Sequence, residues 1–421
     1  MNVLHVTAFH SSLSIGGTEG YIDALQNAFA AVYGAKNFVE VFPLPQHLTI
    51  NNVSYLCSAM APSSEREKLR QECRKLLDQV KPDFAIIHTC HTSEYLMAEE
   101  LLSRKIPYAF ILHALSWTCR QQDRLFSCKT PCHRIFSPLR CAICNWRAPT
   151  GLFVQCIKFF RRELLGFLGH KDPKLYRSLK KGLARKEFVI KNASACIVLN
   201  QRDYEAMLGN GIASERLHVM PSGLSEEVLA VCRANAQKKR TGKLKILYAG
   251  RYEPGKGVNL LIEAARSLPE NLDFQLDIYG YRDKEYYSYV KEGFAIAAGD
   301  PRICIHPMIP PPELLEKYAK YDIQCVPSLI SETGPLVVLE GLYSGCFVAT
   351  SVFIGLKKEV EQYGITIQPN DIKHWSEFFR HCIANKETIR ACRIKNFSEV
   401  RSMNAIAKQI LTLLRPDLAS S

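Results

Sequence analysis

Glu332 and Glu340 stand eight residues apart in the run Ser331-Glu332-Thr333-Gly334-Pro335-Leu336-Val337-Val338-Leu339-Glu340-Gly341, with a Gly-Pro turn and an apolar stretch between them. Cys325-Val326-Pro327 reads as a strand end, and Pro335 is placed to open a helix, where a missing N–H costs nothing. The spacing predicts one carboxylate near the helix mouth and the other about two turns along, roughly 12 Å apart at helical rise. Such an arrangement suits an extended nucleotide-sugar, whose hexose and ribose lie at opposite ends of a diphosphate that a helix N-terminus can meet. The same run also fits a plain acidic first turn followed by an exposed glutamate.

A second motif narrows the choice. In Leu244-Lys245-Ile246-Leu247-Tyr248-Ala249-Gly250-Arg251-Tyr252-Glu253-Pro254-Gly255-Lys256-Gly257 an apolar strand ends at Gly250-Arg251, and a short loop presents Lys256 before a helical run. Two cations on one strand-to-helix loop could clamp a diphosphate, Arg251 by its fork and Lys256 as a point charge.

Together, in this order, the two motifs resemble glycosyltransferase family 4, the retaining nucleotide-sugar enzymes of the GT-B fold. Gly250-Arg251 with Lys256-Gly257 matches the family's diphosphate loop, and Glu332 and Glu340 match its glutamate pair. Gly16-Gly17-Thr18-Glu19 is similar to its N-terminal glycine-rich loop, and Pro221-Ser222-Gly223 to the segment closing its first domain. The resemblance implies that Glu332 lies against the donor sugar and that Glu340 accepts from the ribose hydroxyls. It places Arg251, Lys256 and the backbone N–H groups of Gly334, Leu336 and Val337 on the leaving diphosphate, where Pro335 can donate nothing. Gly16 and Gly17 would let backbone approach the phosphates closely. His113 matches the histidine that abuts the transferred sugar, but Ala114 follows it where many relatives carry Asp. His88 and His91 also end a strand, as acceptor contacts or metal ligands. The family works without a catalytic divalent ion, and no Asp-X-Asp motif stands beside the donor loop.

The elements that must hold these residues follow from periodicity. Short apolar strands alternate with longer helical patterns. Val3 to Ala8, Phe84 to His88, Tyr108 to His113 and Ala195 to Leu199 read as strands, with helices at Glu19 to Tyr33, Ser64 to Val80 and Ser93 to Ser103. A second set follows: Leu244 to Ala249, Leu272 to Tyr279, Ile303 to His306, Ile323 to Val326 and Phe347 to Thr350. The expected fold is α/β, with two Rossmann-like doubly wound parallel sheets facing across a cleft in the GT-B manner. The expected domains are 1–233 and 234–401, with 234–243 as linker and the C-terminal helix, within 402–421, returning to the first domain. At 421 residues, two cores are the natural expectation.

The net charge of +13 concentrates in the segment 153–191, where Arg161, Arg162, Lys171, Lys174, Arg177, Lys180, Lys181, Arg185 and Lys186 interleave with Phe153, Phe159, Phe160 and Phe167. A basic, aromatic amphipathic helix suits an anionic membrane surface, or else buries its apolar face and solvates its cations. No nucleic-acid module accompanies the charge, so no nucleic-acid partner is expected. Five of the 16 cysteines (Cys119, Cys128, Cys132, Cys141 and Cys144) fall in the insert 119–144. Cys141-Ala142-Ile143-Cys144 has metal-ligand spacing, so the cluster, with His133 a further candidate, could hold a structural zinc; free thiols or disulfides are the alternatives. Cys196, Cys304 and Cys325 read as small core residues. No stretch reaches the length of a transmembrane helix, and the opening Met1-Asn2-Val3-Leu4-His5 reads as a strand instead of a secretory signal.

The expectation is therefore a cytoplasmic enzyme, peripheral on the cytoplasmic face of the inner or plasma membrane. It would be a metal-independent retaining hexosyltransferase working from a nucleotide-diphosphate sugar onto a glycan or lipid-linked acceptor, in polysaccharide or glycolipid biosynthesis. The alternatives are a nucleotide-sugar epimerase or phosphorylase-like enzyme on the same plan, and a non-catalytic sugar-binding or scaffold protein.

Overall fold

A computed structural model of the protein describes residues 1–7, 16–41, 48–50, 53–57, 66–90, 92–113, 125–126, 130–131, 173–281, 284–368, 370–395, 397 and 400–419. Two parallel sheets organise them. The first orders its strands β10 (Leu217–Val219), β9 (Ala195–Val198), β6 (Tyr108–Leu112), β5 (Phe84–Ile87), β1 (Asn2–Thr7), β2 (Lys36–Val41), β4 (Val53–Cys57) and β3 (Leu48–Ile50). Every neighbour is parallel except β3, which turns back antiparallel on β4. A separate two-stranded ribbon pairs β7 (Leu125–Phe126) with β8 (Thr130–Pro131).

The second sheet runs β13 (Ile303–His306), β12 (Phe274–Tyr281), β11 (Leu244–Arg251), β14 (Ile323–Val326), β15 (Phe347–Ser351) and β16 (Gly364–Ile367), parallel throughout. Counted from its own first strand this is the order 3-2-1-4-5-6. Its direction of winding reverses between β11 and β14, where doubly wound sheets place ligands beyond the strand ends.

The central strands are continuous apolar runs because helices cover both faces of a parallel sheet. Phe84, Ala85, Ile86 and Ile87 are fully buried, as are Leu244, Ile246 and Leu247. Strands β2, β3, β4, β7, β8, β10 and β16 have no counterpart among the expected ones. Edge strand β16 shows why: Gly364-Ile365-Thr366-Ile367 buries only its last residue, so it carries too little apolar signal to stand out beside the helix Lys357–Tyr363.

Of the described residues, 1–7, 36–219 and 413–419 cluster as one unit and 16–35 and 220–412 as another. This shifts the expected boundaries. Pro221-Ser222-Gly223 falls in the second unit, where Leu224 bridges Ser402 and a Cβ on Gly223 would lie 2.9 Å from the Arg401 carbonyl oxygen. The expected linker at 234–243 is structured as well. The helix Glu226–Gln237 runs into it, and Arg240 is buried, binding backbone carbonyls at Ala319, Tyr318, Ser344 and Gly345. The basic composition that suggests a solvated linker hides this one arginine, whose partners lie over 75 residues away in sequence. The helix Gly17–Tyr33 also belongs to the second unit, packing against the helix Leu336–Tyr343. The C-terminal helix Met403–Leu414 sides with the second unit through Thr412. Beyond it Arg415 belongs to the first unit, donating to the Asp83 carbonyl at 3.1 Å.

Candidate active site in the second unit

Both loops at the reversal point of the second sheet carry charged groups predicted for the site. After β11, Pro254–Lys256 forms one 3-10 turn, and Gly257 then starts the helix Val258–Arg266. Gly257 holds φ +69°, and a Cβ there would meet the Pro327 carbonyl oxygen at 2.4 Å. Leu329 N–H also donates to the Gly255 carbonyl at 2.9 Å, so the loops after β11 and β14 are laced together. Gly257→Ala should therefore cost about 1–3 kcal/mol from the backbone alone. The expected result is a thermal midpoint lowered by at least roughly 3 °C, read by scanning calorimetry.

This lacing brings Lys256 onto Glu332. Lys256 Nζ lies 2.6 Å from Glu332 Oε2, with the two side chains 17% and 13% exposed. Ser328 Oγ donates to the other carboxylate oxygen. The Glu332 backbone is clamped too, its N–H donating to the Phe353 carbonyl and its carbonyl accepting from Gly355 N–H, both at 2.9 Å. Glu332 thus sits in the loop before the helix, on a short bridge to Ile354. Arg251, half exposed, pairs with the largely buried Glu253 at 3.2 Å. Tyr248, buried beneath the loop, donates to the Arg251 carbonyl at 2.8 Å.

The expected helix is shorter and starts later than the spacing suggests. Pro335 is its N-cap, with extended ψ of 118°, and the helix proper is Leu336–Tyr343. Glu340 therefore lies little more than one turn inside it. The first-turn N–H groups of this helix, including those of Leu336 and Val337, have no acceptor within the helix and form an anion-ready end. Glu340 faces Tyr318, whose OH lies 3.5 Å from Oε2 and in turn accepts from Gln324 at 3.1 Å. Burial raises the Glu340 carboxyl to about 7, opposed only in part by the tyrosine hydrogen bond.

Gly16 is the N-cap of the helix Gly17–Tyr33, and Gly20 on that helix faces the helix Leu336–Tyr343, where a Cβ would lie 3.5 Å from Leu336 Cδ1. Glu19 folds back so closely that a Cβ on Gly16 would lie 2.5 Å from its Oε2. Gly16, Gly17, Gly250, Arg251, Lys256, Glu332, Gly334, Pro335, Leu336, Val337 and Glu340 are thus all carried by the second unit. Sequence reasoning missed Ser328, Glu253, Tyr318 and Gln324, which support these groups. Ser328 follows β14 by two residues, so its place at a strand end is the one signal that could have found it.

His113 belongs to the first unit, just past β6. His88, expected to touch an acceptor or a metal, instead spends both ring nitrogens on histidines: Nε2 on His5 at 3.1 Å and Nδ1 on His113 at 2.9 Å. His91 and His133 lie outside the described residues, as do Cys119, Cys128, Cys132, Cys141 and Cys144 and most of the segment 153–191. Cys196 and Cys325 are buried as expected, but Cys304 is part exposed because β13 is a sheet edge. Among the described residues, ligand-type atoms of Asp277, Cys304 and His306 gather within 4.8 Å of one another. Asp277 there accepts from Tyr321 OH at 3.1 Å and Gln275 at 3.0 Å and lies 2.6 Å from His306 Nε2, a closed polar cluster.

Residues 233–398 match the family model of glycosyl transferases group 1, which takes in β11, the Lys256 loop, Glu332 and Glu340. A stretch of 141 residues is 28% identical to a D-inositol 3-phosphate glycosyltransferase of Arthrobacter sp. (strain FB24), covering 32% of this chain and 33% of that protein, about a third of its length. Among solved structures, sucrose-phosphate synthase from Thermosynechococcus elongatus matches with a TM-score of 0.65 at 17% identity over 100% of both chains. Anabaena Alr3699/HepE, solved in complex with UDP, matches at 0.63 and 15%, covering 100% of this chain and 99% of that one. At such identities the likeness establishes the fold, that of GT-B glycosyltransferases. No helix among the described residues is long and apolar enough to cross a membrane.

Proposed function

We propose, from the match of residues 233–398 to the glycosyl transferases group 1 family model, that this chain is a retaining glycosyltransferase moving a hexose from a nucleotide-diphosphate donor to a glycan acceptor carried on a lipid. The observation that carries this reading is the Lys256–Glu332 pair at the reversal point of the second sheet, beside the N-terminus of the helix Leu336–Tyr343. In a retaining transfer the anomeric carbon gains positive charge as the diphosphate departs. Lys256, Arg251 and the helix end meet the departing anion, the role a divalent cation would otherwise fill. Glu332 faces the sugar, and Glu340, deeper in the helix, takes the ribose hydroxyls. The UDP and UDP-glucose in the HepE structures support a uridine donor. Exposed Lys180, Lys181 and Lys191 on the helix Pro173–Asn192 support a peripheral site on an anionic membrane, where polysaccharide or glycolipid assembly takes place.

The test is release of nucleoside diphosphate from a panel of nucleotide-sugars, with a membrane lipid extract as acceptor source and Glu332→Ala and Lys256→Ala as controls. Release from one donor that both variants lose supports a transferase, and product NMR reads the anomeric configuration. No release from any donor by folded protein overturns the reading in favour of a sugar-binding scaffold.

The raised Glu340 carboxyl sets a pH dependence. Below about 7 it is largely protonated, and the carboxylate, the better acceptor for two hydroxyls, accumulates as pH rises through that value. Titration calorimetry should show nucleoside diphosphate affinity rising about tenfold from pH 6 to pH 8, following the charged fraction. Glu340→Gln should remove that rise while leaving the ligand's own titration in place. Stability should move the other way. Between the ordinary value of 4.5 and about 7 the native protein holds a proton that the unfolded chain has lost, so stability falls as pH rises across that window.

A further inference from the structure

We propose that Gln324 is a positioning residue for Glu340, acting through Tyr318 in a buried relay whose amide turns over with the proton on the Glu340 carboxyl. The relay readies that carboxyl for the ribose hydroxyls of the donor, a role that rests on the transferase reading above. An unpaired amide oxygen carries the inference. Gln324 sits in the middle of β14, between Leu247 on β11 and Val348 on β15, fully buried in the run Ile323-Gln324-Cys325-Val326. Its Nε2 donates to Tyr318 OH at 3.1 Å, but Oε1 has no hydrogen-bond partner among the described residues. Oε1 lies against Gly341, where a Cβ would collide with it. An apolar side chain of the same length would fill this place without burying a lone acceptor. The glutamine therefore costs stability, and its one partner is the tyrosine that reaches Glu340.

Tyr318 is fully buried too, with its OH 3.5 Å from Glu340 Oε2. A phenol has one proton to give, so the two ends of the relay set its direction. With Gln324 Nε2–H donating to the phenol oxygen, the tyrosine gives its proton to Glu340, which suits the carboxylate. When Glu340 is protonated, its own O–H donates to the phenol oxygen, and the phenol proton then needs an acceptor. Half a turn of the Gln324 amide puts Oε1 there and leaves Nε2 beside Gly341. Each orientation leaves one amide atom unpaired, so the count of hydrogen bonds at Gln324 does not choose between them. The proton on Glu340 does.

The other titratable groups around the helix Leu336–Tyr343 are engaged elsewhere. Cys232, on the helix Glu226–Gln237, donates to the Glu340 backbone carbonyl at 3.7 Å, and burial pushes its thiol up to about 12. Glu19, on the helix Gly17–Tyr33, folds back onto Gly16, and Arg240 binds the carbonyls of Ser344 and Gly345. Lys358 and Glu359, on the helix Lys357–Tyr363, line a cleft against Leu342 and Tyr343. Burial also holds the Tyr318 phenol well above its ordinary value, so it keeps its proton while Glu340 titrates.

Protein labelled with 13C at the glutamate carboxyls, free of ligand, reports the Glu340 titration by NMR, with Glu340→Gln identifying the signal. Tyr318→Phe should raise the midpoint by about one pH unit, as for loss of one long hydrogen bond to a charged group. Gln324→Met should move it the same way by less. Tyr318→Phe/Gln324→Met should move it no further than Tyr318→Phe, because the glutamine acts only through the tyrosine. Gln324→Met should also match or exceed the unaltered protein in thermal midpoint, which a merely structural glutamine would not allow. If Tyr318→Phe does not fold, the double variant, which leaves no amide beside the phenylalanine, decides the matter. An unmoved Glu340 midpoint in the phenylalanine variants, or a Gln324→Met protein less stable than the unaltered one, overturns the relay. Calorimetry of nucleoside diphosphate binding then tests the role toward the ligand: its rise with pH should move up with the carboxyl midpoint. A rise that stays in place while that midpoint moves overturns this role. The NMR titration needs no ligand, so midpoints as expected with no nucleotide bound by the unaltered protein count against the transferase alone.

Discussion

Lys256→Ala is expected to lower kcat by about 10²–10³-fold, with a much smaller change in donor affinity, as for loss of one preorganised anion-stabilising group. In the free protein Lys256 is spent on Glu332 at 2.6 Å, so its charge is held in place before any ligand arrives. On the proposed reading a leaving diphosphate gains negative charge as the sugar bond breaks, and Lys256 would exchange a carboxylate for a phosphoryl oxygen. Removing it deletes a cation and leaves Glu332 with Ser328 but without its counter-charge, beside an incoming anion. Two effects are thus combined in one substitution, and a double-mutant cycle separates them. Lys256→Ala/Glu332→Gln should recover donor binding relative to Lys256→Ala, because the negative charge facing the incoming anion is gone, but should not recover turnover. Equal losses in binding and turnover across the cycle would show that Lys256 serves the ground state. Steady-state kinetics with isothermal titration of nucleoside diphosphate makes the measurement.

Much of that loop was legible in the residues. A strand that ends in Gly250-Arg251 and a glycine after Lys256 place two cations at one strand end, and the 3-2-1-4-5-6 order puts that end beside Glu332. The partnerships were not legible. That Lys256 rests on Glu332 depends on the Leu329–Gly255 hydrogen bond and on the close fit of Gly257 under Pro327, contacts spanning about 70 residues. The helix pattern also ran ahead of the structure, because Pro335 suits both the cap and the first turn, and only its extended ψ decides. The histidines illustrate the same limit. His88 at a strand end reads as a ligand-facing group, yet the strand order β6-β5-β1 inserts it between two other histidines. Apolar runs and glycines report local backbone, whereas charged and imidazole groups take their meaning from neighbouring strands.

Arg240→Met should destabilise the protein by about 3–4 kcal/mol, because it orphans several buried carbonyls at once. Its guanidinium donates to the Ala319 and Tyr318 carbonyls, each at 3.3 Å, to Ser344 at 2.8 Å and to Gly345. Ser344 and Gly345 directly follow the helix Leu336–Tyr343, and Tyr318 and Ala319 lie in the 3-10 turn Tyr318–Lys320. Arg240 therefore caps the carbonyl ends of two helical segments and places a positive charge at the negative pole of the helix that carries Glu340. A methionine fills much of the stem's volume but returns none of these bonds. Lysine restores the charge without the planar fork, so Arg240→Lys should recover only part of the loss. Chemical denaturation should show both midpoints lowered, Met more than Lys. Under the proposed function the other end of the same helix meets the donor, so nucleotide affinity should weaken in both variants in the same order. A methionine variant as stable as the unaltered protein would mean that water replaces the guanidinium at these carbonyls, and that the helix holds its position without a cap.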